Sequence, residues 1–373
     1  MPDNFWIEFP KYFFAATFFI TGSMIGSFLN VCIHRMPLEQ SLVHPPSHCP
    51  KCKYSIPWHL NIPVFAWIRL GGRCGNCAEP INIRYPLVEL LTGVAFLAAW
   101  ICTQPDALHA VALCLLLAGF ITATFIDFDH QIIPDEITIG GMVLGVMFSA
   151  AAPQIHASNT LKDPSRLDAL QASAIGLGIG FGLVYLVVRA GKLAFGKQTF
   201  EVEDKERLTF TDEALVFSDG NMPYDEIFYR KSDIISLHAK HVELTDRCFF
   251  DIDIALTMEN LTIGEENFNP EQIKHMEVAT DEIVIPREAM GFGDVKFMGA
   301  IGAFLGWQAT VFSLMISAII GSAVGVTLMM LRKDEWAGRL PYGPYIALAA
   351  TIWIFGGHRI WSAWWNMVGP IQQ

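Results

Sequence analysis

The chain has 373 residues, of which 52% are hydrophobic and only 17% charged, too apolar for an ordinary soluble protein of this length. Its formal net charge of −12 offers no broad basic surface, so a lipid bilayer is the expected partner and nucleic acid is not.

A helix needs about 20 mostly apolar residues to cross the hydrocarbon core. Eight runs approach or meet that length, at 12–33, 86–102, 108–126, 137–152, 172–188, 295–305, 311–331 and 342–364. The sixth is short, and its start can lie before Asp294. The segment before the first run lacks a basic n-region and the run is overlong for a signal peptide, so this helix is expected to stay in the membrane. Basic residues cluster after the first run (Arg35, Lys51, Lys53, Arg69, Arg73, Arg84) and after the seventh (Arg332, Lys333, Arg339), with little beyond Lys162 and Arg166 on the other side. The positive-inside rule then puts residues 34–85 and 189–291 in the cytosol and both termini outside.

In chain order, residues 1–33 are the first transmembrane helix. Residues 34–85 are a cytosolic loop carrying CPKC at 49–52 and CGNC at 74–77. Two such knuckles supply four thiolates, Cys49, Cys52, Cys74 and Cys77, that can surround one Zn²⁺ tetrahedrally. A pair of disulfides is the competing reading, and a reducing cytosol favours metal. With all four positions filled by protein, the zinc would be structural. Cys32, Cys102, Cys114 and Cys248 are isolated and assigned to packing.

Residues 86–194 carry the second to fifth helices. At the end of the third run, FIDFDHQIIPDE (125–136) sets Asp127 and Asp129 where the chain leaves lipid, and Pro134 restarts the next helix. Charge at such depth is costly and marks a functional candidate. The plainer reading has Asp127, Asp129 and Asp135 marking the interface and capping a helix. GLGIGFG at 176–182 resembles a dinucleotide fingerprint only superficially, with no strand before it, and is read as helix packing. Gly22 and Gly26, Gly302 and Gly306, and Gly321 and Gly325, each four apart, are read the same way.

Residues 195–288 interrupt the helical pattern. Between 197 and 285 there are 21 acidic and 8 basic residues, so this stretch carries −13 and the remainder +1. FDIDIALTM (250–258) alternates, placing Phe250, Ile252, Ile254, Leu256 and Met258 on one face, and Asp219-Gly220-Asn221 is a turn signal. A small β-rich cytosolic domain is expected, with Asp251 and Asp253 on a solvated strand face. Residues 289–373 hold the last three helices, opened by GFGDVK (291–296). Counting crossings puts Asp127 and Asp294 on the same cytosolic face, where two carboxylates forced together can divide acid and base roles. Gly291 and Gly293 would let the backbone turn tightly and a substrate strand approach.

At this point the chain resembles the bifunctional type IV prepilin peptidases, also called prepilin leader peptidase/N-methyltransferases, which are polytopic aspartic proteases of bacterial inner membranes. GSFLNVCIHRMP (26–37) is similar to the family's N-terminal signature and the two-knuckle loop to its zinc-binding segment. IDFDHQIIPD (126–135) and GFGDVK resemble its two catalytic motifs, the second being the GxGD pattern of presenilin-like intramembrane proteases. The resemblance implies catalytic aspartates at Asp127 and Asp294, with Asp129 as second choice. It implies cleavage after the glycine that ends a short basic leader of a prepilin or pseudopilin. It also implies methylation of the new N-terminus with S-adenosylmethionine, referred to Gly26, Asn30, Arg35 and the cysteine loop. The acidic insert departs from the family's pattern; its charge would attract a basic leader. Two readings from other classes remain at this stage: a transporter relaying protons through intramembrane carboxylates, and a zinc-bearing scaffold, which gives no reason for the aspartate motifs.

Overall fold

The computed structural model describes residues 5–57, 62–157, 163–202, 207–212, 214–217, 220–228, 233–244, 247–270, 275–286, 290–331 and 341–368. Arg332, Lys333, Arg339, Lys162 and Asp219, which the sequence reading used, lie outside them. The chain divides into two compact units, 1–185 with 292–373, and 186–291.

The first unit is helical: α1 (Phe5–Arg35), the short α2 (Phe65–Arg69), α3 (Arg84–Thr103), α4 (Ala107–His130), α5 (Asp135–Ala151), a 3-10 turn at Pro153–His156, α6 (Arg166–Phe195, running into the second unit), α8 (Phe292–Leu331), α9 (Gly343–Ile352) and α10 (His358–Val368). Every one of the eight apolar runs falls on helix. Among the described residues, five helices are long and apolar enough to cross a membrane by length and composition: Tyr12–Arg35, Arg84–Thr103, Ala107–His130, Arg166–Leu193 and Phe292–Leu331. α5, with 17 residues, is at the short end of a span.

Two runs differ from a straight-helix reading. The sixth and seventh join into one 40-residue element broken at Gly306, whose φ of 81° and ψ of 175° are non-helical and belong to the left-handed side that glycine tolerates. Such a break frees backbone carbonyls, which hydroxyl side chains must satisfy inside a membrane. Ser173 Oγ donates to Ala303 O at 2.8 Å, and Ser149 Oγ lies 3.4 Å from the same oxygen and 2.8 Å from His156 Nε2. The last run likewise divides, through a π turn at Trp353–Gly357 that bends at Gly356 before α10.

Small residues set the helix spacing. A Cβ on Gly26 would lie 2.7 Å from Glu89 Cα and one on Gly93 2.4 Å from Ser23 Oγ, so α1 and α3 touch along backbone. One on Gly176 would meet Gly302 O at 2.1 Å and one on Gly180 would meet Met298 O at 2.3 Å. The GLGIGFG run is therefore a packing seam between α6 and α8. Cys32 and Cys114 are buried, whereas Cys102 and Cys248 are exposed, which removes the packing role expected for the latter two.

The second unit is an antiparallel sheet of β1 (Lys197–Glu201), β2 (Leu208–Thr211), β3 (Ala214–Phe217), β4 (Gly220–Pro223), β5 (Ile235–Leu244), β6 (Cys248–Leu256), β7 (Leu261–Ile263), β8 (Glu266–Phe268) and β9 (His275–Pro286), with the single turn α7 (Tyr224–Ile227). The strand order is β4-β3-β2-β9-β5-β6-β7-β8, and β1 also pairs with β9. Leu208, Leu215, Ile235, Val242, Ile263 and Ile283 are fully buried in its core. Ile252, Ile254 and Leu256 share the inner face as expected, but Phe250 is 70% exposed and Met258 lies beyond the strand at 48%. The alternation stops at Asp251, whose φ is 54°, and Phe250 packs on His241 instead, 4.8 Å between ring centroids.

Candidate active site and metal centre

Asp127 lies one turn before the end of α4 and Asp294 in the first turn of α8. Both are buried, at 5% and 8% exposure. Gly293, in the first turn of α8, packs on the loop after α4: a Cβ there would be 3.3 Å from Ile133 Cβ. Gly293 is thus a contact glycine inside the helix, and neither it nor Gly291 takes the positive φ of a tight turn, which corrects the turn role expected for them. Asp294 sits where the positive end of a helix dipole favours a carboxylate.

Ile133 also touches the start of α9, where its Cδ1 would be 3.1 Å from a Cβ on Gly343. The Gly343 N–H donates to Asp127 Oδ2 at 2.8 Å. Tyr342, the preceding residue, bonds through its hydroxyl to Ser317 Oγ of α8 at 2.9 Å. The end of α4, the loop 131–134 and the first turns of α8 and α9 therefore meet around the two aspartates. Lys296 Nζ pairs with Asp135 Oδ1 at 2.5 Å, tying α8 to the start of α5.

Asp129 is placed differently. Arg84 Nη1 bonds its Oδ2 at 2.6 Å, Arg84 Nη2 donates to Phe125 O at 3.2 Å, and the guanidinium lies 4.8 Å from the centroid of the Phe125 ring. Its side chain is 39% exposed. A half-exposed, neutralised carboxylate is held as a surface ion pair, whereas no cation pairs with Asp127 among the described residues.

The two cysteine knuckles have the same local geometry. Cys49 N–H donates to Tyr54 O and Lys53 N–H to Cys49 O, both at 2.9 Å; Cys74 N–H donates to Glu79 O at 2.8 Å and Ala78 N–H to Cys74 O at 3.0 Å. The residue after each pair's second cysteine, Lys53 and Ala78, is left-handed at φ 57° and 59°. Lys51 and Glu79 clip the knuckles together at 2.5 Å. All four Sγ atoms lie within 4.8 Å of one another, with Cys49–Cys77 at 3.8 Å and Cys52–Cys74 at 4.0 Å. Tetrahedral zinc with Zn–S bonds of about 2.3 Å requires S···S edges of about 3.8 Å. The donor set therefore fits a zinc ion. Asn76 Nδ2 donates to Cys52 Sγ at 3.6 Å, and this bond, followed by one from the Tyr54 backbone, lowers the Cys52 thiol to about 6, toward the thiolate a metal needs.

The pattern of a bacterial peptidase A24 N-terminal domain matches residues 20–103, and that of the type IV leader peptidase family matches 114–198 and 273–326. The chain belongs to the type IV leader peptidase family. Both aspartate motifs fall inside the leader peptidase match, and the unmatched stretch 199–272 is most of the acidic sheet. A prepilin leader peptidase/N-methyltransferase of Myxococcus xanthus is 38% identical over 204 residues, 52% of this chain and 55% of that protein. Proteins of the same name from Aeromonas hydrophila and Pseudomonas aeruginosa are 26% and 25% identical, covering 92% and 94% of this chain and 90% and 93% of theirs. No solved structure matches the chain.

Gly343 beside Asp127 and Arg84 beside Asp129 are neighbours of the aspartate motifs that the sequence did not single out. Tyr342-Gly343-Pro344 opens α9 with proline in its first positions, a helix-start signal that marks backbone N–H groups available to an anion.

Proposed function

We propose that this chain is an integral-membrane aspartic endopeptidase that removes the leader of a prepilin or pseudopilin after glycine, on the cytosolic side of a bacterial inner membrane. It then N-methylates the new terminus with S-adenosylmethionine. The observation that carries the reading is Asp127, buried without a cation partner among the described residues and held by the Gly343 N–H, in the cluster that also holds the aspartate of the GxGD motif. Eight crossings, with 34–85 and 189–291 in the cytosol, fit the helix order and the basic loops.

One carboxyl of the Asp127–Asp294 pair takes a proton from water as the water oxygen attacks the glycyl carbonyl carbon. The other, protonated, donates to the carbonyl oxygen. On collapse the C–N bond breaks, the amine nitrogen takes a proton, and the leader departs as a carboxylic acid. When bound, S-adenosylmethionine would supply an activated methyl group for the new N-terminal amine. Zinc held by Cys49, Cys52, Cys74 and Cys77 would fix the two knuckles as a structural clip.

The test is cleavage of a prepilin-like substrate, with a basic leader, Gly-Phe and an apolar helix, by the full chain in liposomes. Wild type is expected to cut after the glycine, and Asp127→Asn and Asp294→Asn to lose cutting while retaining the wild-type melting profile. Equal cutting by both variants would overturn the assignment.

A further inference from the structure

The helices that meet at the aspartates are short for a membrane. From Phe292 to its break at Gly306, α8 rises about 21 Å, and α9 with its π turn, Gly343–Gly357, rises about as far. A hydrocarbon core is about 30 Å thick. The 24 residues of α4, by contrast, extend about 36 Å.

Both short pieces start at the same level, with Asp294 in the first turn of α8 and the Gly343 N–H on Asp127. Beyond Gly306 the chain turns back, because Ser317 returns to the start of α9, where its Oγ meets the Tyr342 hydroxyl at 2.9 Å. Gly306 and the π turn therefore mark the far ends of these pieces, about 9 Å short of the outer limit of the hydrocarbon.

α10 lies where that thickness is missing. Gly356, at φ 154°, bends the chain after α9, and a Cβ on Gly357 would be 3.0 Å from Phe312 Cζ, so the bend is held against α8. Trp361 of α10 is buried, its ring 6.4 Å from that of Trp307 beside the break and 6.3 Å from that of Trp353 in the π turn. One tryptophan thus docks α10 on the ends of both short pieces. A helix lying flat there adds about 10 Å, close to the shortfall.

The remaining side chains of α10 divide along its length. Ile360, Trp364 and Met367, spaced at i, i+4 and i+7, form one exposed apolar strip. It continues the exposed Leu348 and Phe355 of the preceding crossing. Arg359, Ser362 and Asn366 form a second, polar strip. Continued straight from α9, the helix would hold Arg359 in hydrocarbon, about 24 Å from Gly343, at a cost that an in-plane helix avoids. His358–Val368 contains Arg359 and no acidic residue, which complements lipid phosphates, and tryptophan favours the boundary between acyl chains and headgroups.

We propose that α10 is an in-plane anchor in the outer leaflet, lying across the ends of the first limb of α8 and of α9, with Ile360, Trp364 and Met367 among acyl chains and Arg359 toward the phosphates. It makes up the thickness that the aspartate-bearing helices lack and so fixes their depth. The inference rests on the eight-crossing orientation given above and assigns the last apolar run two roles, a short crossing and a lipid contact.

The test labels single added cysteines with a membrane-impermeant maleimide, in the full chain carrying Cys102→Ser to remove the exposed native thiol at the end of α3. Ser362→Cys and Asn366→Cys report the polar strip, Ile360→Cys and Met367→Cys the apolar strip, and Ala157→Cys, on the loop before α6, controls for orientation. All are compared in right-side-out spheroplasts and in protein-free liposomes of phosphatidylethanolamine and phosphatidylglycerol, with leader cleavage reporting that each has folded. From outside, the polar-strip thiols are expected to react as fast as Ala157→Cys and the apolar-strip thiols at least about tenfold more slowly in both settings, because a thiol among acyl chains forms little thiolate. Equal labelling of the two strips would place α10 in water, and protection of both would make it a continuation of the crossing; either overturns the proposal. Protection of the apolar strip in spheroplasts but not in liposomes would overturn it in favour of a protein partner. Labelling of Ala157→Cys only after lysis would overturn the orientation itself, and the outer-leaflet anchor with it. As a readout without added cysteines, lipids brominated high on the acyl chain must quench the fluorescence difference between wild type and Trp364→Phe more than lipids brominated near the chain end; the reverse order overturns the in-plane depth.

Discussion

The chain contains the same tripeptide pattern twice, Asp127-Phe128-Asp129 and Asp251-Ile252-Asp253, and the two fold into opposite roles. In a helix, residues two apart point about 200° from each other; in a strand they point the same way. In α4 the pair is therefore split. Asp127 is buried against the start of α9, and Asp129 reaches out to Arg84 at 2.6 Å. In β6 both carboxylates converge on His238, at 3.0 and 2.7 Å, with side chains 89% and 87% exposed. Spacing alone carries no chemistry here; the backbone decides whether an acidic pair is divided between burial and solvent or held together in water.

The sharpest break of that comparison exchanges the roles within α4. Asp127→Asn is expected to lower cleavage by at least about a thousandfold, the loss of a positioned acid or base, while Asp129→Asn changes it less than about fivefold, the worth of an exposed ion pair. Single-turnover cleavage rates decide it, and the reverse order would make Asp129 the catalytic member.

A second and smaller effect tests the backbone contact that holds Asp127. Gly343→Ala would bring a methyl to 2.8 Å from Asp127 Oδ2 and 3.1 Å from Ile133 Cδ1. The carboxyl must shift, and a displacement near 1 Å at a reacting group costs on the order of 10–100-fold in rate. Cleavage unaffected by this substitution would mean that Asp127 does not depend on α9 for its position. The cysteine loop should respond to metal instead. One zinc per chain is expected by elemental analysis, and chelation or Cys52→Ser should speed proteolysis between residues 36 and 83 by about tenfold, because metal binding and folding are coupled in such sites. A loop equally resistant with and without metal would remove zinc's structural role.

What could be read in the sequence was whatever chemistry travels with the residue itself. Four cysteines in two pairs, two acidic motifs and the apolar runs name their own groups, and each of those runs lies on helix. What could not be read comes from backbone. Gly343 contributes an N–H, which every non-proline residue has, to a carboxylate 216 residues away, so nothing but the helix-start pattern pointed to it. Gly306 stands four residues after Gly302 and reads as a packing glycine, yet it breaks α8 with φ 81°. Arg84 reads as a cytosolic-side charge, and only the fold brings it to Asp129 and so separates that residue from Asp127. In the sheet, the period-two pattern places Ile252, Ile254 and Leu256 correctly and fails at Phe250, where Asp251 departs from extended geometry.

The smallest expected effect lies at the exposed pair. Hydrogen bonds from Asp253 and then Asp251 raise the His238 imidazole above its usual range. A group whose pKa is higher folded than unfolded stabilises the fold fully below its unfolded pKa, about 6.5 for histidine. That contribution disappears as pH rises through the folded value. Selective ¹³C-histidine labelling of the full chain, with His238→Gln to assign the signal among the eleven histidines, should show a titration displaced upward, and Asp253→Asn should displace it back further than Asp251→Asn does. Because the site is fully solvated, 0.5 M salt should narrow these displacements, whereas the cleavage contrast between Asp127 and Asp129, which rests on burial, should survive the same salt.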